Sequence, residues 1–226
     1  MRNLILILVT ALSLAATGCF QGMAEDQVRK TLTRALGPAE KYDVKISNTS
    51  DGMLLNGEVK DLTIDAKRVR TKDGLVIQRF DVRMLGLKLS KDKKKIDSVE
   101  SATFDLDITQ EDLSTLARSK VRQIGDVQVL LAPGEVALMA PARALGQTLD
   151  VSLRGSLNVE QGQRISFIPS TFSLGPLKVD DVLLQNLLHR VNPVADLSRL
   201  PVPVHIDLLA ARQGVLNVKG TLFAKP

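Results

Sequence analysis

Two long β-patterned runs, "LLNGEVKDLTIDAKRV" and "GLVIQRFDVRMLGLKLS", follow one another around the turn sequence "TKDG" at residues 71–74. Runs of more than twelve residues exceed the usual strand of about five or six. Strands that long must twist and coil, and a turn between neighbours makes an antiparallel pair. Further alternating segments continue the theme. "YDVKIS" puts Val44 and Ile46 on one face, and "SATFDLDIT" puts Ala102, Phe104, Leu106 and Ile108 opposite Thr103, Asp105 and Asp107. Such strands have one buried and one wet side.

More strands are predicted beyond residue 125. They are "DVQVLLA" and "EVALMAP" around Pro133-Gly134, then "TLDVSLRGSLNV" with Val151, Leu153, Leu157 and Val159 alternating, and "RISFIPSTFSLG". A last hairpin, "VHIDLLAAR" and "VLNVKGTLFA", turns at Gln213-Gly214. Three segments instead repeat at helical spacing. Residues 23–36 carry Val28, Leu32, Ala35 and Leu36 before Gly37-Pro38 ends them. A second helix follows Thr109, where "TQED" offers a hydroxyl and a carboxylate to the first free amides, with Leu113, Leu116, Ala117, Val121 and Ile124 as its stripe. A third runs from Asp180 to Arg190 with Leu183, Leu184, Leu187 and Leu188. The tally of three helices and eight to ten strands predicts an α+β fold. Its architecture is a long, strongly coiled antiparallel sheet wrapped around two or three amphipathic helices.

The N-terminus has a separate logic. Arg2 precedes the apolar run "LILILVTALSLAA" at residues 4–16, too short for a comfortable span of about 20 residues. Its length and charge order are those of a secretory signal. Ala16, Thr17 and Gly18 are small and lead into Cys19, the only cysteine of the chain. This resembles the bacterial lipobox, in which a diacylglycerol is attached to the thiol and cleavage leaves cysteine first. The expectation is a signal peptide over 1–18, a lipid anchor at Cys19 and one domain over 19–226. That domain, 208 residues, is long enough for a sizeable core without disulfides.

Composition narrows the chemistry. Aromatic residues make up 3% and Trp is absent, which disfavours the stacking surfaces of nucleobase or sugar sites. Residues 59–95 hold twelve Lys or Arg against five Asp, while 96–226 hold twelve against fourteen acids. In an exported chain a basic segment suits anionic lipid headgroups better than nucleic acid, although "KDKKK" at 91–95 also reads as a solvated turn. No G-x-S-x-G, HExxH, G-x-G-x-x-G or phosphate-loop motif occurs. The two histidines, His189 near a helix end and His205 in a strand, read as structural. Zinc has almost no ligands left. Asp105 and Asp107 could hold calcium, but solvated carboxylates are the plainer reading. The chain is expected to be no enzyme, to use no cofactor and no metal, and to bind no nucleic acid.

The order of these pieces also carries a resemblance. An amphipathic helix is followed by "LLNGEVKDLTIDAKRVRTKDGLVIQRFDVRMLGLKL", a strand into "DITQEDLSTL", "LRGSLNV", "RISFIPSTFSLG", a leucine-rich helix and "GVLNVKGTL". Across residues 25–224 this is similar to the LmeA-like phospholipid-binding domain family of exported bacterial envelope proteins. The resemblance implies phospholipid as ligand and a tubular lipid-binding (TULIP-like) sheet curled round a helix. It transfers no binding residues. Physically, an apolar slot between sheet and helices would suit acyl chains, each buried methylene contributing roughly 0.8 kcal/mol. The leading expectation is an envelope lipoprotein, facing periplasm or exterior, that binds phospholipid, with Lys67, Arg68 and Arg70 meeting the phosphate. The rivals are a structural lipoprotein docking another envelope protein, and a lipid hydrolase built on His189 or His205.

Overall fold

The computed structural model describes residues 20–47, 50–89, 96–120, 126–144, 147–175, 192, 194–199 and 203–222. Helix α1 spans Phe20–Ala35 and ends where Gly37, at φ +123°, takes a backbone conformation open to glycine. Its buried stripe is Ala24, Val28, Thr31 and Leu32. Ala35 and Leu36, assigned to the stripe from spacing, are only half-buried. Strands β1 (Lys41–Ser47), β2 (Glu58–Arg70) and β3 (Val76–Leu89) then form a meander, with a five-residue helix α2 (Asp51–Leu55) between the first two. Three cross-strand apolar rows build its core face: Tyr42–Ala66–Phe80, Val44–Ile64–Val82 and Ile46–Leu62–Met84.

Strands this long do not hold one alternation throughout. In β3 the buried positions pass from Val82 and Met84 to Leu87 and Leu89. The break is Gly86 at φ +60°. A left-handed residue inside a strand locally bends it and shifts which residues face the core. Opposite it, β2 makes the matching change between Val59 and Leu62.

The chain continues through β4 (Ile96–Ser98), β5 (Ser101–Thr109) and helix α3 (Gln110–Lys120), then β6 (Gln128–Ala132), β7 (Glu135–Ala144), β8 (Gln147–Glu160) and β9 (Arg164–Leu174). It ends with β10 (Ala195–Asp196), a 3-10 turn over Leu197–Arg199, β11 (Val204–Arg212) and β12 (Val215–Leu222). One sheet has the order β1-β2-β3-β5-β12-β11, with β4 paired to β3. The other has β10-β9-β8-β7-β6. The fold is thus sheet-dominated α+β, but its described strands sort into two sheets, not the one expected. The twelve strands among the described residues exceed the eight to ten expected because β4 and β10 are too short to show a pattern. The leucine-rich segment 180–190, with His189, lies outside the described residues.

The chain divides into two compact units, one of residues 1–106, 199–205 and 219–226, the other of 107–198 and 206–218. Each contains a helix laid on an exposed strand edge. In the first unit, Glu25 of α1 accepts the Ile46 N–H (2.9 Å) and Arg29, one turn on, donates to the Tyr42 carbonyl (3.0 Å). In the second, Gln110 of α3 accepts the Leu131 N–H (2.9 Å), and Ser114 Oγ accepts the Val129 N–H (2.8 Å). Both devices use residues four apart on a helix to satisfy a strand that would otherwise offer an unpaired edge. On α3 the side chains buried among the described residues are therefore Asp112 and Ser114, while Leu113, Leu116 and Ala117 are half-buried; Val121 and Ile124 of the expected stripe lie outside the described residues. Thr109 caps that helix as "TQED" predicts, its Oγ1 accepting the Asp112 N–H (3.1 Å) and donating to Asp112 Oδ2 (2.6 Å).

Candidate functional site

Two surfaces follow from this framework: an apolar sheet face in the second unit and a cationic end in the first. Strand β8 separates its faces cleanly. Ser152, Arg154, Ser156 and Asn158 stand on one side, and Leu149, Val151, Leu153, Leu157 and Val159 on the other. Neighbouring strands extend the apolar side in rows such as Val129–Leu138–Leu153–Phe172 and Leu131–Val136–Gly155–Pro169. Gly155 is fixed by crowding. A Cβ there would lie 2.1 Å from the Ile168 carbonyl oxygen and 2.7 Å from the Phe167 ring. An extra residue in β9, Ser170, makes a bulge at this point. Burial is graded along the face: Leu131, Val136, Leu153, Ile165 and Phe167 are buried, whereas Leu138, Ala140, Leu149, Val151 and Phe172 are half-buried. Greasy surface that remains partly open is where an acyl chain gains most from contact.

The wet face of the first unit carries charges in cross-strand rows. Lys41, Lys67 and Arg79 form one row, Asp43, Asp65 and Asp81 the next, and Lys45, Thr63 and Arg83 a third. Like charges facing each other oppose the pairing, so neutralisation runs along the strands and diagonally. Lys41 hydrogen-bonds Asp43 at 3.0 Å and holds that carboxyl below its usual range. Arg79 binds Asp81 and, at 2.9 Å, Asp105, which in turn binds Lys219 at 2.9 Å. Arg83 pairs diagonally with Asp61 (2.9 Å), whereas Lys88 meets its opposite charge, Glu58, directly across the β2–β3 pair (3.4 Å). Asp105 is thus engaged by cations. Asp107 accepts from Asn217 Nδ2 at 2.7 Å. No group of three or more metal-ligating side chains occurs among the described residues.

One stretch escapes this cancellation. Arg68 sits at φ +48°, a conformation that costs a side-chain-bearing residue roughly 1–2 kcal/mol. Its effect is read in the burial order. Leu62, Ile64 and Ala66 are buried, then Val69, so Lys67, Arg68 and Arg70 are all exposed. Regular alternation would have continued the buried series onto Arg68 and Arg70. Arg68 itself is occupied, with Glu40 at 3.3 Å and Gln78 at 3.0 Å. Lys67, Arg70 and the nearby Lys72 have no ion pair or side-chain hydrogen bond among the described residues. Of the three residues singled out from sequence, two are therefore available cations and the third positions them.

This cationic end is held rigidly. Arg70 N–H donates to the Pro38 carbonyl (2.8 Å), Glu40 N–H to that of Lys67 (3.0 Å), and a Cβ on Gly37 would fall 2.0 Å from the Arg70 oxygen. Tyr42 O–H donates to the Gly37 carbonyl at 2.8 Å, and burial pushes its phenol up to about 12. His205 lies exposed in β11. Cys19 lies outside the described residues, one position before α1.

A family model described as LmeA-like phospholipid-binding matches residues 15–221. No curated protein and no solved structure matches the chain. A helix-backed antiparallel framework with one apolar and one charged surface, and a family match over nearly its whole length, lead to one conclusion: the chain belongs to the LmeA-like phospholipid-binding family.

Proposed function

We propose that this protein is a cell-envelope lipoprotein, exported and then held to a bacterial membrane through a lipid on Cys19, that binds phospholipid. The acyl chains would lie in an apolar cavity against the half-buried sheet face around Leu138, Val151 and Phe172, in a TULIP-like wrap of sheet round helix. Independently, in the first unit, Lys67 and Arg70 would meet phosphate headgroups at a bilayer surface, with Arg68 setting their exposure. The reading is non-catalytic, needs no cofactor, and assigns a role in envelope lipid handling.

The observation that carries it is the pairing of family membership with the unneutralised cations at the end of β2. In a sheet face where most other cations find a carboxylate, Lys67 and Arg70 remain ready for an anion. The test is to express residues 20–226 without the anchor, extract lipid from the purified protein and identify it by mass spectrometry. Recovered phospholipid is the expected result. A lipid-free protein that also ignores phospholipid vesicles would refute the reading.

A further inference from the structure

The position of the cations relative to the N-terminus has a consequence for which membrane they meet. Helix α1 runs antiparallel to β1: Glu25 lies beside Ile46 and Arg29 beside Tyr42. Its C-terminal end is fixed to the end of β2 by the Pro38–Arg70 and Glu40–Lys67 hydrogen bonds. Phe20 and Arg70 are therefore at opposite ends of one rigid body. The sixteen residues of α1, at about 1.5 Å each, set a separation of roughly 24 Å. Phe20 directly follows Cys19 in the sequence, so no stretch of chain separates the proposed tether from the start of α1. Whether the tether is an acylated Cys19 or the uncut apolar run, it pulls on the Phe20 end.

The distal end is also the cationic one. Exposed Arg34, Lys67, Arg70 and Lys72 have no described partner there, and the acids nearby are Glu40 and Asp43, engaged by Arg68 and Lys41, together with exposed Asp65 and Asp73, so these four cations face two acids without a described cation partner. With α1 directed away from the bilayer that holds the N-terminus, a separation of this size exceeds the Debye length of about 8–10 Å at physiological salt, and these cations gain little from that bilayer. We infer that the Lys67–Arg70 end docks on a second anionic bilayer facing the one that holds the N-terminus, so the headgroup it recognises belongs to the opposite membrane. This rests on the N-terminal tether and on the cationic role proposed above, and adds the direction in which the protein works.

The full-length chain, reconstituted in phosphatidylcholine vesicles, is mixed with fluorescent acceptor vesicles of phosphatidylcholine and phosphatidylglycerol, and co-flotation is measured. The expected result is recruitment of the acceptor, reduced by salt. It should be lost in K67E/R70E and kept in K30E/K45E, which makes the same charge change on exposed positions outside the cluster. Circular dichroism confirms that each variant is folded. Absent recruitment, or recruitment that survives K67E/R70E, overturns the inference. Chain that does not float with the donor vesicles refutes the tether and this inference with it, while lipid recovered from residues 20–226 would still stand.

Discussion

Lys67 stands directly across the β2–β3 pair from Arg79, and only Arg79 is neutralised, by Asp81 and Asp105. A like-charged pair facing across strands opposes folding by a few tenths of a kcal/mol to about 1 kcal/mol. The K67T variant should therefore raise Tm slightly. The same change should weaken binding to phosphatidylglycerol-containing vesicles by about fivefold, since one cation near an anionic surface contributes about 1 kcal/mol. Thermal melts and vesicle sedimentation on the same preparation check both directions. A loss of stability with unchanged binding would remove Lys67 from the site.

Arg68 should tolerate glycine better than alanine. At φ +48° a Cβ is strained, so R68A keeps the strain and loses the Glu40 and Gln78 contacts. R68G relieves it. Chemical denaturation should show R68G at least as stable as the parent and R68A less stable by about 1 kcal/mol. Equal losses in both would mean that the left-handed backbone is not what exposes Lys67 and Arg70 together.

Tyr42 is the only tyrosine of a chain without tryptophan, so its ionisation can be followed alone by ultraviolet absorbance. In the unfolded chain the phenol titrates near 10; in the fold it is pushed up to about 12. The folded state keeps the proton longer, so the stabilisation is whole below pH 10 and is lost as pH rises toward 12. A tyrosinate signal appearing near pH 10 with the fold intact would contradict the buried Tyr42–Gly37 hydrogen bond.

Ser114 carries a strand edge inside the second unit, where its Oγ accepts the Val129 N–H. S114A leaves that buried donor unpaired and should cost about 1–3 kcal/mol. S119A, on the exposed side of the same helix, should change little. Urea denaturation compares the two. The reverse case is Thr31, buried with no partner for its Oγ1 among the described residues. There T31V should be neutral to stabilising, because it removes a desolvated hydroxyl of nearly the same shape.

Much of the strand layout was legible because each pattern is local. The alternations of "YDVKIS", "SATFDLDIT" and "TLDVSLRGSLNV" predicted the faces that Val44, Phe104 and Leu153 bury. The helix stripes were less faithful, since a helix that caps a strand edge is chosen for its hydrogen bonds. Ser114 and Glu25 act on strands 15 and 21 residues away, and no spacing rule announces them. The division into two sheets is likewise a matter of tertiary pairing. The cationic end had a signal that was available: in "LTIDAKRVR" the apolar series Leu62, Ile64, Ala66 jumps to Val69, which marks a break at Lys67-Arg68.

The most direct test of phospholipid binding is titration of the purified chain with a phospholipid bearing a fluorescent acyl chain, reading the emission gained on entering an apolar site. The expected result is a saturable rise that unlabelled phospholipid competes away and that F172D, at the half-buried sheet face, abolishes without unfolding the protein. A flat titration with folded parent protein would contradict it.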